Sequence, residues 1–188
     1  FAMSVSLFGK ASEEKQVLVD TTVQEKHITF PTDGKLAIKI INHLHKIAKK
    51  EGIALRRSYI REIKGHRLSL RFFKHPKKVK KARAAMRRLK TIAKALIRDI
   101  DRKFEDNKTL HQKYGETFYL FMRILLQHKH SKHKIYSLHE SHIYAISKGK
   151  DHKKYEYGVK ASIVCTKKSG IIVGVSSHET NEHDSKTL

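Results

Sequence analysis

Asp20 is the carboxylate with the greatest chemical potential in this chain. It directly follows Val17-Leu18-Val19, an apolar run rich in β-branched residues, and Thr21-Thr22-Val23 continues the same strand signal. A carboxylate in or at the end of a central strand is costly to bury unless a metal or cation neutralises it. A rigid strand also fixes an oxygen where Mg²⁺ ions must be bridged, as two-metal phosphoryl transfer requires. The alternative is a strand-end aspartate that starts a turn with Thr21 and Thr22.

A second group is cationic. Lys80, Lys81, Arg83, Arg87, Arg88, Lys90, Lys94 and Arg98 crowd one segment, and the first nearby acids are Asp99 and Asp101. Coiled-coil flanks normally mix signs. The imbalance therefore points to phosphates, held by sequence-independent and salt-sensitive contacts. The alternative is a solvated helix face. The whole chain leans the same way: 41 Lys and Arg against 18 Asp and Glu leave a charge of +23 on 188 residues. Such a surplus calls for a polyanion, with nucleic acid ahead of anionic membrane.

The 14 histidines include the close sets His128, His130, His133 and His139, His142. No His-Glu-x-x-His motif occurs, and Cys165 is the single cysteine. No zinc site is expected. One cysteine also excludes a disulfide within the chain and fits a reducing compartment. The start, Phe1-Ala2-Met3-Ser4, lacks the pattern of a secretory signal. The longest apolar run, Phe118 to Met122, is stopped by Arg123, far short of the roughly 20 residues a membrane span needs. No membrane partner is expected. A hydrophobic content of 39% is too high for a disordered basic tail.

These residues must be positioned by strands and helices. Residues 17–23 read as one strand, and Ile28-Thr29-Phe30 as a second that Pro31 stops. Asp33 is the expected N-cap of a helix with Leu36, Ile40, Leu44 and Ile47 on its apolar face and Gly52 as its stop. A second helix is expected over Leu55 to Ile63, and a third opens at Pro76. The third carries Val79, Ala82, Met86, Leu89, Ala93, Leu96 and Ile100 as a heptad seam that needs a covering helix. Tyr114, Phe118, Phe121 and Leu125 can supply one, as an antiparallel hairpin turned at Asp106-Asn107-Lys108. Tyr155, Tyr157, Val159, Ala161 and Ile163 alternate with polar residues, so their face is expected to be buried. Lys167-Lys168-Ser169-Gly170 turns that strand into Ile171 to Val175. Asp184 would cap a further helix, one turn before Leu188. This helix signal and the start at Phe1 are two signs of a fragment.

The order of these pieces resembles bacterial insertion-sequence transposases of the DDE type. The resemblance is carried by Val19-Asp20-Thr21-Thr22-Val23-Gln24-Glu25-Lys26 and Ile28-Thr29-Phe30-Pro31-Thr32-Asp33. After a helical interruption it resumes with Ile135-Tyr136-Ser137-Leu138-His139-Glu140, Lys153 to Lys160, Gly170 to Gly174 and Asn181-Glu182-His183-Asp184-Ser185. Lys80-Lys81-Ala82-Arg83 and Leu89-Lys90-Thr91-Ile92-Ala93 fit it more loosely. The chain departs at Val159, Ser141 and Ser185-Lys186, where relatives commonly carry Asn, Pro and Gly-His.

The resemblance implies an α+β fold, a partial ribonuclease H-like sheet interrupted by a long basic α-helical insertion. Residues 1–33 would hold the first strand, 34–134 the insertion, and 135–188 the antiparallel strand pair and the start of the next helix. It implies that Asp20 is the first catalytic carboxylate and a metal ligand. Lys160 and the basic helices, through Lys80, Lys81, Arg83, Arg87, Arg88 and Lys90, would contact DNA phosphates. The parent activity would be Mg²⁺-dependent cutting and joining of transposon ends, by a protein of the bacterial cytoplasm associated with the nucleoid. A homodimer is an expectation for the intact transposase alone. The family's second Asp and later Glu have no counterpart motif here, and Asp184 belongs to the earlier helix-start motif. One carboxylate cannot hold two metals. The chain is therefore expected to bind DNA, to hold no Mg²⁺ tightly and to be inactive alone. The alternative is a non-catalytic nucleic-acid-binding protein that uses a basic helical hairpin.

Overall fold

The computed structural model describes residues 2–105, 107–147, 149, 151, 153–183 and 185. The fold is α+β, and the chain divides into two units. A sheet unit comprises Phe1–Thr29 with Glu140–Leu188, and a helical unit comprises Phe30–His139.

In the sheet unit, helix α1 (Ala2–Phe8) precedes β1 (Val17–Glu25), and β2 (Tyr144–Ile146), β3 (Glu156–Thr166) and β4 (Ile172–His178) follow the helical unit in sequence. β3 is central. Its whole length from Gly158 to Thr166 pairs antiparallel with β1, from Glu25↔Gly158 to Val17↔Thr166. Its other edge takes β4, through Lys160↔His178 to Cys165↔Ile172, and β2 at Tyr144↔Gly158. The Lys167–Gly170 turn closes the β3–β4 hairpin as the sequence suggests, with Gly170 at φ 67°. Gly158 lets β1 approach: a Cβ there would stand 2.1 Å from the Gln24 carbonyl oxygen.

Two expectations fail in this unit. Ile28-Thr29-Phe30 is not a strand. β3 extends only two residues beyond the Glu25↔Gly158 pair, so nothing continues the ladder for those residues to join. The buried face of β3 is also the opposite one. Glu156, Gly158, Lys160 and Ser162 are buried, whereas Tyr157, Val159, Ala161 and Ile163 are half-exposed. Alternation shows that two faces differ, but burial follows what covers them. The polar face is covered by its own partners: Lys160 Nζ donates to the Glu182 carbonyl at 2.7 Å, and Ser162 Oγ meets His178 Nε2 at 2.8 Å.

The helical unit contains α2 (Asp33–Lys50), α3 (Ile60–Ser69), α4 (Val79–Phe104) and α5 (Lys108–Leu126). Leu36, Ile40, Leu44 and Ile47 are buried, and α2 stops before Gly52, at φ 66°. The N-cap is Thr32, whose hydroxyl accepts from Lys35 N at 3.3 Å, and not Asp33. Asp33 opens the helix and takes ion pairs from Lys90 (3.0 Å) and Lys134 (3.7 Å). The expected helix over Leu55 to Ile63 is displaced to α3. Residues 53–59 stay irregular because their backbone is tied to α4 side chains, with Arg56 N donating to Asp99 Oδ2 at 2.9 Å and Lys103 Nζ donating to the Ala54 carbonyl. Pro76 sits in the turn before α4, where Lys78 N and Val79 N both donate to the His75 carbonyl.

Ala82, Leu89, Ala93, Leu96 and Ile100 of the α4 seam are buried, while Val79 and Met86 are only half-buried. Ala85, Ile92 and Ile97 widen the buried stripe, because α4 packs on α2 and α3 as well as α5. The α4–α5 hairpin is antiparallel. Phe104, at the end of α4, stacks on Tyr114 and Phe118 near the start of α5, with ring centroids 5.6 and 6.0 Å away. Lys90, in the middle of α4, reaches the carbonyl of Gln127 just past α5. Asn107 caps α5 by accepting from Leu110 N at 3.1 Å; Asp106 of the expected turn lies outside the described residues, as does the expected cap Asp184.

Candidate nucleic-acid interface and carboxylate cleft

A helix advances about 100° per residue, so residues spaced by three and four share a face. On α4 this spacing aligns Lys80, Arg83, Arg87, Lys94, Arg98 and Arg102 opposite the buried stripe. All except Lys94, which is half-buried, are exposed. From Lys80 to Arg102 the row runs for about 33 Å at 1.5 Å per residue. Lys81 is also exposed, on its flank.

Two of the predicted phosphate contacts have structural partners instead. Arg88 makes a forked pair with Glu62, Nε–Oε1 at 2.5 Å and Nη2–Oε2 at 3.3 Å. That guanidinium holds the Glu62 carboxyl below the usual range, and Glu62 in turn raises Arg88. Lys90 donates to Asp33 at 3.0 Å and to the Gln127 carbonyl at 3.2 Å. Gln127 itself is buried and clamps Ile135 through both amide atoms, at 3.0 and 3.1 Å. Lys80, Lys81, Arg83 and Arg87 keep their charges on the exposed side, with no carboxylate within 4.0 Å among the described residues.

Asp20 lies in β1 as the sequence suggests, but β1 is an outer strand of the described sheet and Asp20 is exposed. Its Oδ1 accepts from Thr21 N at 2.8 Å. Asp20 and Lys160 border one cleft of about 600 Å³, with Ser147, Asn181, Glu182 and His183 around it. They do not share a face of the sheet. Asp20 stands opposite Ile163 and Lys160 opposite Val23, and strand side chains alternate. Lys160 is buried and donates to the chain after β4, so its place is structural as well as electrostatic.

Among the described residues, the donor set around Asp20 does not fit a resident pair of Mg²⁺ ions. Among the described residues no group of three or more His, Cys, Asp or Glu is arranged to hold a metal, the histidines near residues 128–142 included. No helix among them is long and apolar enough to cross a membrane.

The cationic residues that sequence reading missed are Arg56 and Arg57. The irregular segment 53–59 brings them to Arg98 and Arg102 of α4. The adjacent arginines were a visible signal, but assigning that segment to a helix obscured it.

No family model matches this chain, and no solved structure matches it. The "Uncharacterized protein ORF8 in nfe locus" of Rhizobium meliloti is 46% identical to it over 61 residues, which are 32% of this chain and 30% of that protein. The match thus covers less than a third of either.

Proposed function

We propose that this chain is a DNA-binding protein of the DDE-transposase type, with a sheet unit of ribonuclease H-like design and α4 as its principal phosphate-binding element. The observation that carries the DNA reading is the α4 row, a line of cations about 33 Å long, all exposed but the half-buried Lys94, whose helix packs by the opposite face. The sheet supports the kinship with transposases through its order: an aspartate-bearing first strand lies antiparallel to one strand of the β3–β4 hairpin. Metal-dependent cutting and joining belongs to the proposed parent activity. This chain offers Asp20 toward it, and its own role is to hold DNA.

A second reading is favoured by the placement of the row. All of its residues belong to the helical unit, and none to the unit that carries Asp20. A non-catalytic nucleic-acid binder needs no more than that row. Fluorescence anisotropy with a labelled random-sequence duplex tests the DNA reading directly. Tight binding that weakens steeply with salt is expected, and absence of binding at low salt refutes it. Cleavage assays with a transposase segment that carries further catalytic carboxylates supplied in trans separate the two readings, because only the first makes Asp20 matter.

A further inference from the structure

We infer that the helical unit contains a phosphodiester seat where the irregular segment 53–59 meets the C-terminal half of α4. Arg56, Arg57, Tyr59, Arg98, Asp99 and Arg102 line one cleft of about 340 Å³ there. The inference rests on the DNA reading and deepens it, from a row of charge to a site with defined geometry.

Three observations support it. First, the cleft is held in place. Asp99 accepts from Arg56 N at 2.9 Å and from Lys103 Nζ at 3.3 Å, and Lys103 also donates to the Ala54 carbonyl. The Arg57 guanidinium lies 5.1 Å from the centroid of the Tyr59 ring, so its direction is restrained. Second, the charges are unbalanced. Among the described residues no guanidinium of Arg56, Arg57, Arg98 or Arg102 is ion-paired with a carboxylate within 4.0 Å, whereas that of Arg88 nearby is paired with Glu62. Asp99 is the acid of the cleft, and its charge is committed to a backbone N–H and to Lys103. Burial, the largest single effect, raises its pKa, but those two donors together with the charges of Lys103 and Arg102 outweigh it and hold the carboxyl below its ordinary value. Four guanidinium groups around one cleft repel each other unless an anion joins them. Third, the chemistry selects the anion. Guanidinium forks match phosphate oxygens bidentately, and a polar cleft at the small end of the ligand range suits one phosphate better than an apolar ligand.

A phosphate can come from a nucleic-acid backbone or from a small ligand. The geometry points to the backbone, because Arg98 and Arg102 also continue the row that starts at Lys80. Diester phosphates seated along the row would enter the cleft at its end.

The test uses the full chain and the double variants Arg56→Gln/Arg57→Gln and Arg56→Lys/Arg57→Lys. Both positions are exposed and outside the row, and the Arg56 N–H to Asp99 survives in each. Unchanged melting of the variants is the control for folding. Duplex affinity is measured by anisotropy as salt varies, and inorganic phosphate binding by calorimetry. The Gln variant is expected to lose about tenfold in duplex affinity, as one charge-assisted contact implies. Its log–log salt slope should flatten by about 0.9, one phosphate's worth. The Lys variant should keep the slope and regain only part of the affinity, because ammonium groups lack the fork. Wild-type affinity in the Gln variant overturns the seat, even where a variant of the row at Lys80, Lys81, Arg83 and Arg87 binds poorly and the DNA reading stands. Full recovery in the Lys variant also overturns it, reducing the cleft to diffuse charge. Phosphate binding that the Gln variant loses while duplex affinity stays unchanged would assign the cleft to a small phosphate ligand, against the inference. No duplex binding by the wild type would refute the DNA reading together with the diester source.

Discussion

Neutralising the free end of the α4 row, with Lys81 on its flank, should change DNA binding by an amount that can be worked out beforehand. Lys80, Lys81, Arg83 and Arg87 are exposed and have no carboxylate within 4.0 Å among the described residues. If each meets one phosphate, replacing all of them by glutamine removes four released counterions. At about 0.9 per phosphate, the slope of log affinity against log salt should flatten by roughly 3.6. From about 50 to about 200 mM salt that slope difference amounts to roughly 150-fold in affinity. Anisotropy on a random-sequence duplex across that range reads the number directly. The fold should be unaffected, because none of these side chains packs in the core. Arg88→Gln and Lys90→Gln provide the contrast. Their partners are Glu62, Asp33 and Gln127, so they should lower stability and leave the slope nearly unchanged. The Arg88 pair is partly exposed, with 44% and 32% of the two side chains accessible, so its loss should cost no more than about 1 kcal/mol. A quadruple variant that keeps the wild-type slope would refute the phosphate role of α4.

Gly158→Ala should destabilise the sheet unit by at least about 1–3 kcal/mol in chemical denaturation, because its Cβ would meet the Gln24 backbone at 2.1 Å. Gly174→Ala is the mild control, since its Cβ would meet a Val164 side chain at 3.2 Å. Glu51 is held below its ordinary pKa by the Tyr114 hydroxyl and then by Lys113. The sign is that of a depressed carboxylate: its contribution is complete above the unfolded value of about 4.3 and is lost as pH falls through the lower folded value. Glu51→Gln should therefore flatten the acid limb of a stability–pH curve, and an unchanged limb would show that the pair contributes nothing. Asp20→Asn should leave melting temperature and duplex affinity nearly unchanged, because the side chain is exposed and remote in kind from the phosphate contacts. The chain should not cleave DNA with Mg²⁺ or Mn²⁺; robust cleavage would overturn the reading that Asp20 is the one triad carboxylate with a counterpart in this chain.

The long elements were legible because periodicity over many residues leaves little freedom. α2, α4, α5, β1 and the β3–β4 hairpin all lie where their patterns put them. What failed depended on neighbours distant in sequence. Thr32 and Asp33 are both capping types, and the ion pair to Lys90, 57 residues on, draws Asp33 into the helix side of the boundary. Leu55 and Ile53 pack against the core without a helix, because α4 side chains hold that backbone. The face of β3 was misassigned because the burial of Lys160 and Ser162 depends on Glu182 and His178. Arg88 and Lys90 were indistinguishable from Arg87 by composition. Only Glu62 and Asp33, 26 and 57 residues away, separate them.

That separation explains how so basic a helix folds. Helix α4 places its apolar residues on one side, and there burial supplies the driving force. The cations at its margins, Arg88 and Lys90, are matched by acids from other helices. The cations at the centre of the polar side are left to solvent, where water screens their mutual repulsion. The cations proposed to meet phosphate and those that stabilise the fold thus divide around the helix circumference rather than along its length. Salt then acts on the two with opposite sign: it screens the repulsion that opposes folding, and it weakens any phosphate contact that the same cations make.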